Sequence, residues 1–417
     1  MRIVLSFWDG GEGHLARVAH LVTLLRERGD RCLIISSSAK AARVRTLTPE
    51  VEIAEVDTRP ESRLPAKRLP QYSHAFRHAQ RRLALGFNDQ DFVTANTGRV
   101  LEVLRAFRPH VVVNDYHDTL RIAAEAAGVP VVSLAMAHGL RSGPTLGAWK
   151  IHELADRPLP ECLRSFNHTR AQWNLAPYTD ERETFEGDLN LIPSCPELDP
   201  VQQRTNDVYV GPVMTPPAPP QRRPRRRPLV VSYLAEGNNR PDSAYPRALA
   251  ALVRAERNLE FAVMGGARYA RYFRTGETFL GMVPAQRYLD LLDAADLVIT
   301  HGGTTLVHAL ERSVPVLCLP WTSSEAAWAV RAEEHGAGML YPAYRRPLEW
   351  RVDDAVHPST PLAGHWSLPI SAQGLSRCVR RILEEPGHRA AAADLAERLS
   401  ASRSRFDLVD LVRGAGR

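Results

Sequence analysis

The sequence predicts an α/β protein made of two doubly wound, Rossmann-like domains, and three observations carry that expectation. An apolar strand at residues 3–7 empties into a glycine-rich turn, Trp8 to His14, that opens a helix. The same strand, glycine turn and helix recur at residues 297–310, where Gly302-Gly303 makes the turn. Between the two lies Thr215-Pro-Pro-Ala-Pro-Pro-Gln-Arg-Arg-Pro-Arg-Arg-Arg-Pro228, which holds neither helix nor central strand because proline lacks an amide donor and restricts its neighbours. The expected division is a first domain at 1–213, a Pro/Arg linker at 214–228, a second domain at 229–385 and C-terminal helices at 386–417.

Taken in order, Leu15, Val18, Ala19, Val22 and Leu25 recur at helical spacing until Gly29 ends the run, and residues 31–36 form the second strand. Gly11-Glu-Gly13-His-Leu-Ala16 is not a dinucleotide fingerprint, because Ser36-Ser-Ser38 stands where an acidic partner for the ribose belongs. Residues 51–56 are a third strand. A basic stretch from Arg59 to Arg82, broken by Pro60, Pro65 and Pro70, follows as a loop leading into a helix, and long insertions on an α/β scaffold carry binding more often than packing. Arg63, Lys67 and Arg68 in it are therefore acceptor-side candidates. A helix closes at 103–107, a strand at 110–114 delivers Asp115-Tyr-His-Asp118, and a strand at 129–134 delivers Met136-Ala-His138-Gly139. Ligands of open α/β sheets sit at the carboxyl ends of strands, where His14, Asp115 and His138 all fall. Residues 140–187 show no clear pattern, and Trp149 and Trp173 are expected to pack helices of the first domain. Strands at 189–192 and 208–210 finish that domain.

The second domain restarts with a strand to Leu234, a loop at Glu236-Gly-Asn-Asn239, a helix at 244–257 and a strand at 260–264. The strand at 297–299 ends in small polar residues and a turn in which Gly302 and Gly303 expose backbone amides. Thr304 and Thr305 are expected to cap the helix that Leu306, Ala309 and Leu310 continue. Bare amides at the positive end of a helix dipole form an anion site able to hold a phosphate. A strand at 314–319 follows, then a helix opened by Ser324-Glu325, and amphipathic helices near 373–383 and 390–399.

Thr300-His-Gly-Gly, a helix ending in Ala-Leu, Val-Pro-Val-x-x-x-Pro and an acidic helix start together resemble the donor-binding motif of GT-B nucleotide-sugar glycosyltransferases. The short Gly-Gly-x-Thr spacing resembles the MurG-like and PseG-like branch more than the plant or macrolide branch, whose loop is one residue longer. Gly13-His14-Leu-Ala-Arg17 matches the Gly-His-x-x-Arg signature of PseG-like proteins, and Val210-Gly-Pro212 resembles the family's exit from the first domain. The resemblance covers nearly the whole chain. It implies two domains facing each other across a cleft, and a C-terminal helix that crosses back to the first. It implies that Gly13, Arg17 and His138 lie on the acceptor side, that Val283 in Gly281-Met-Val-Pro284 borders the nucleotide base, and that Glu325 grips the donor sugar. Two positions depart from the family: His308 stands where members carry a ribose-binding Glu, and Ser324-Glu325 with Trp328 replaces an Asp-Gln followed by an Asn.

Inverting glycosyl transfer needs a base for the acceptor hydroxyl and stabilisation of the departing diphosphate. His14 suits the first task by its pKa range, with Asp115 as orienting carboxylate and Asp118 as second choice. His301, Gly302, Gly303, Thr304 and Thr305 suit the second without a metal or other cofactor, the co-substrate being a uridine or thymidine diphosphate sugar. Two other readings share the motifs: a PseG-type hydrolase using water as acceptor, and a non-catalytic relative that kept the fold.

Composition agrees with a globular protein. The 417 residues are 44% hydrophobic, with no apolar run long enough to span a membrane and no leader ahead of residues 3–7, so a cytoplasmic location is expected. Five scattered cysteines support neither a disulfide frame nor a zinc site. The net charge of +6 rests almost wholly on arginine, with Lys40, Lys67 and Lys150 the only lysines. No nucleic-acid module accompanies that charge, which leaves an anionic small-molecule acceptor or a peripheral membrane contact as its partner.

Overall fold

The computed structural model describes residues 1–9, 11–57, 82, 86–146, 159–202, 204–217, 225–234, 244–273, 278–320, 323–341, 347–352, 355–361 and 370–417. Arg63, Lys67, Arg68, Trp149 and the loop at 236–239 lie outside the described residues. The chain forms two compact units. The first is Met1–Thr215 with Arg351–Ala355 and Ala401–Arg417, and the second is Pro216–Trp350 with Val356–Ser400.

In the first unit the chain runs through β1 (Arg2–Phe7), α1 (Glu12–Glu27), β2 (Arg31–Ser36), α2 (Ser38–Leu47), β3 (Glu52–Glu55), α3 (Gln90–Phe107), β4 (Val111–Asp115), α4 (Leu120–Ala127), β5 (Val131–Leu134), β6 (Thr145–Leu146), α5 (Leu159–Gln172), β7 (Leu189–Ile192) and β8 (Asp207–Tyr209). Seven of these strands form one sheet in the order β3-β2-β1-β4-β5-β7-β8, every neighbour parallel. Parallel strands covered on both faces need continuous apolar runs, and Ile3-Val-Leu and Val111-Val-Val supply them. Alternate residues serve opposite faces. Ile3, Leu5 and Phe7 pack with Leu15, Val18 and Val22 of α1, while Val4 and Val112 pack with Val100 and Leu104 of α3 and Leu120 of α4.

The second unit repeats the design with β9 (Leu229–Leu234), α6 (Ala244–Ala255), β10 (Glu260–Gly265), β11 (Phe279–Gly281), α7 (Ala285–Ala294), β12 (Leu297–Thr300), α8 (Gly303–Glu311), β13 (Val316–Cys318), α9 (Ser323–Glu334) and β14 (Gly338–Leu340). Its parallel sheet has the order β11-β10-β9-β12-β13-β14. Short strands β15 (Pro347–Val352) and β16 (Ala355–Pro361) precede α10 (Ala372–Glu384), α11 (Pro386–Ser404) and α12 (Leu408–Ala415).

The last helix belongs to the first unit. Val409 and Val412 of α12 enter the core formed by Ile3, Val111 and Val113, and Arg413 pairs with the buried Asp30 at 3.1 Å. Among the described residues no helix is long and apolar enough to cross a membrane.

Candidate active site

Each sheet reverses its winding once, and each reversal places a glycine-bearing strand end at the spot where open α/β sheets bind ligands. In the first unit the reversal falls between β1 and β4, which pair in register from Ile3↔Val111 to Phe7↔Asp115. The chain leaving β1 enters α1 at Glu12, so Gly13 and His14 stand in the first helical turn rather than in the loop before it. His14 therefore sits beside the carboxyl end of β4. Its Nδ1 lies 2.7 Å from Asp115 Oδ1, and the two side chains that the sequence pairs are in contact.

Asp115 is wholly buried, while the His14 side chain keeps 17% of its surface exposed, so the histidine is the member that faces outward. Burial alone would push the Asp115 carboxyl up, but the Arg17 guanidinium and His14 outweigh it and hold it below the usual carboxylate range. The ring of His14 is set edge-on between Trp8, at 5.4 Å between centroids, and Tyr116, at 5.6 Å. Tyr116 takes a left-handed backbone at φ +64°, a strained choice for an aromatic residue. Its hydroxyl accepts a 3.0 Å hydrogen bond from the Met136 amide, which ties the end of β4 to the loop after β5. Sequence reasoning missed both flanking rings, although Tyr116 adjoins Asp115 in the chain.

Arg17 requires a correction. Read from the signature as an acceptor-side residue, it is 95% buried and forks onto the carboxylate, Nε to Asp115 Oδ2 at 3.0 Å and Nη2 to Asp115 Oδ1 at 2.8 Å. Its head group is committed inside the protein because i, i+3 spacing places it on the same helix face as His14. Asp118, the second choice as orienter, pairs instead with Arg82, which also donates to Glu181 O and lies over the Phe185 ring. Arg82 is thereby a buried anchor of the first unit and not part of a solvated basic surface. His138 is buried on a short turn, Ala137–Gly139, beyond β5. Trp173 packs against the helices of this unit, in contact with the cores around α3 and α5.

Behind the pair lies a second histidine. His117 Nδ1 is 2.7 Å from Ser6 Oγ and its Nε2 is 3.1 Å from Thr119 Oγ1. Burial pushes its pKa down to about 3, so it is a neutral core residue.

In the second unit the reversal falls between β9 and β12, and the chain leaving β12 passes through His301 and Gly302 into α8. Gly302 has φ +112°, open to glycine almost alone, and a Cβ there would come within 2.9 Å of the Glu325 carbonyl oxygen. Two expectations need revision here. Gly302 is itself the N-cap, so Thr304 and Thr305 lie inside the first turn and do not cap it. The Gly302 amide is not bare, since it donates to Thr300 Oγ1 at 3.1 Å. The amides left without an intrahelical partner are those at the start of α8 itself, beginning with Gly303. Glu325, in the first turn of α9, comes down beside this turn with Oε1 3.5 Å from His301 Nε2. His301 Nδ1 is buried and has no hydrogen-bond partner among the described residues.

The two positions that differ from the resembled motif differ in setting. His308 is 93% buried on α8, with Nδ1 3.0 Å from the Tyr288 hydroxyl of α7, so a phenol holds that nitrogen. Trp328 is 99% buried in α9. Val283 is half-buried between β11 and α7, next to the exposed Met282. Among the described residues no three His, Cys, Asp or Glu side chains gather as a metal-ligand set.

No protein-family profile matches the chain. It is 24% identical over 335 residues to a PGL/p-HBAD biosynthesis glycosyltransferase of Mycobacterium tuberculosis, covering 71% of this chain and 68% of the relative. To a PGL/p-HBAD biosynthesis rhamnosyltransferase of Mycobacterium bovis it is 25% identical over 343 residues, covering 73% and 67%. The solved structure of the spinosyn rhamnosyltransferase SpnG superposes with a TM-score of 0.66 at 17% identity over the full length of both chains. SpnG has also been solved with spinosyn aglycone and with thymidine diphosphate. The fold shared with these structures is the two-domain α/β architecture described above.

Proposed function

We propose that this chain, a glycosyltransferase of the GT-B fold, moves a sugar from a nucleoside diphosphate to a hydroxyl of a small-molecule acceptor with inversion at the anomeric carbon. The observation that carries the reading is the His14–Asp115 contact at 2.7 Å, with the carboxylate buried and the imidazole partly exposed. In the proposed reaction His14 Nε2 takes the acceptor hydroxyl proton while Nδ1–H stays on Asp115. The oxygen bonds to the anomeric carbon as the bond from that carbon to the diphosphate oxygen breaks. A single displacement of this kind inverts the centre. The leaving diphosphate takes the electron pair and is held by the amides at the start of α8, the Thr304 and Thr305 hydroxyls and the helix dipole. Those donors answer the developing charge, so the reaction as proposed draws on no metal.

The donor assignment to a thymidine or uridine diphosphate sugar is supported by the thymidine diphosphate bound in SpnG and by the glycine turn at Gly302. An aglycone of the natural-product or envelope-precursor kind is the proposed acceptor, supported by the spinosyn aglycone bound in SpnG and by the glycosyltransferases the sequence resembles. A thermal-shift screen of the full chain against nucleotides and nucleotide sugars tests the donor half. A ligand at a hundred times its Kd should stabilise the native state by about 2.7 kcal/mol through mass action. If neither thymidine nor uridine diphosphate moves the transition at millimolar concentration, the donor reading is wrong.

A further inference from the structure

Resting on the reading of His14 as base, we propose that Arg17 is a positioning residue that keeps His14 in the tautomer with its hydrogen on Nδ1, leaving Nε2 as the proton acceptor. His14 Nδ1 lies 2.7 Å from Asp115 Oδ1 and also 2.8 Å from Arg17 Nη2. One ring nitrogen cannot donate to the first and accept from the second at once. If it donates to Asp115, the lone pair is on Nε2 and the ring can take a proton from a hydroxyl. If it accepts from Arg17, the hydrogen sits on Nε2 and the base is blocked.

The guanidinium resolves this competition through the carboxylate. Nε and Nη2 together fork onto both oxygens of Asp115, a bidentate geometry that keeps the carboxyl ionised and fixes its plane. An ionised carboxylate is a far stronger acceptor than a neutral imidazole nitrogen is, so Nδ1–H is drawn to Oδ1. Without the fork, the burial of Asp115 would push its carboxyl up, and a carboxyl that takes a proton from solvent donates to Nδ1 and leaves the ring hydrogen on Nε2.

Arg17 also bears on the charge His14 can carry. Among the described residues, the titratable and charged groups set against the ring include Asp115 from β4, Arg17 one turn along its own helix, and the Tyr116 phenol, with Asp9 in the turn ahead of it. Of these, Arg17 alone is a fixed cation, and an imidazolium formed beside it meets like charge. Removing that cation should let His14 hold its proton to higher pH.

The test is a nitrogen NMR titration of the full chain labelled at histidine, with the His14 signals identified by their loss in His14→Gln; no acceptor is needed. In the unsubstituted protein the neutral ring should show the Nδ1–H tautomer. Arg17→Gln should mix the tautomers and raise the His14 titration midpoint by about one pH unit. Arg17→Lys, which keeps the charge and loses the fork, should mix the tautomers with the midpoint nearly unmoved. An Nε2–H tautomer in the unsubstituted protein overturns the proposal, and that measurement stands even if the Arg17 variants fold poorly. A folded Arg17→Gln variant whose tautomer and midpoint both stay put overturns it as well. Sugar transfer that survives His14→Gln would instead refute the base reading and leave the tautomer result intact.

Discussion

At Asp115 a fully buried charge takes two hydrogen bonds from Arg17 and lies 2.7 Å from His14 Nδ1, and that arrangement sets what each substitution should do. His14→Ala removes the proposed base and should lower the rate of sugar transfer by roughly a hundredfold or more with nucleotide affinity unchanged, as read by steady-state kinetics and calorimetry. Asp115→Asn should slow it too, and the double variant should lose far less than the product of the two, because a base and its orienter act as one unit. Multiplying losses would mean that the pair does not work together. His117 gives a pH signature of its own. Its folded pKa of about 3 lies below an unfolded value near 6.5, so below pH ~6.5 the proton favours the unfolded chain and stability falls as pH drops toward 3. Urea unfolding at pH 7 and pH 5 should show that fall, and His117→Gln should lessen it. The positions of His14 and Asp115 were legible in the sequence because strand ends announce themselves. The destination of Arg17 was not, since its spacing shows which helix face it shares but not which carboxylate waits across the sheet.

At the scale of elements, the βα turn at Gly302 joins backbone conformation to ligand chemistry. With φ at +112° and the Glu325 carbonyl 2.9 Å from where a Cβ would be, Gly302→Ala must shift either the turn or the start of α9. We expect a stability loss on the order of 1–3 kcal/mol and a weakened affinity for thymidine or uridine diphosphate, measured by urea unfolding and calorimetry. Unchanged affinity in a folded variant would remove this turn from the donor site. The turn itself could be read from strand, Gly-Gly and helix. Its cap could not, because Thr304-Thr305 offers hydroxyls in the right place by type while the observed cap is the backbone of Gly302, set by the approach of α9. The helix α2 and the short strand β14 also escaped notice. α2 buries only Ala41 and Val44 and so carries little apolar period, and β14 is three residues that rely on β13 for pairing.

At the scale of the whole molecule, the chain order and the unit order differ, because residues 401–417 return to the first unit after the second is complete. The two sheets were legible from repeated apolar strands and glycine turns. The place of α12 was not legible from its apolar pattern, since α11 and α12 look like any terminal helices until Val412 is seen at full burial against Ile3 and Val111. The packing makes a sharp expectation. Val412→Ala leaves a cavity beneath β1 and β4 and should cost the first unit about 1–3 kcal/mol. Hydrogen exchange read by mass spectrometry should therefore quicken in peptides from β1, β4 and α12. Peptides from β12 and α8 should hold their protection, and calorimetry should give an unchanged affinity for nucleoside diphosphate. Equal quickening in both sheets would mean that the two units unfold as one, and the terminal helix would then be a fastening of the entire chain rather than a part of its first core.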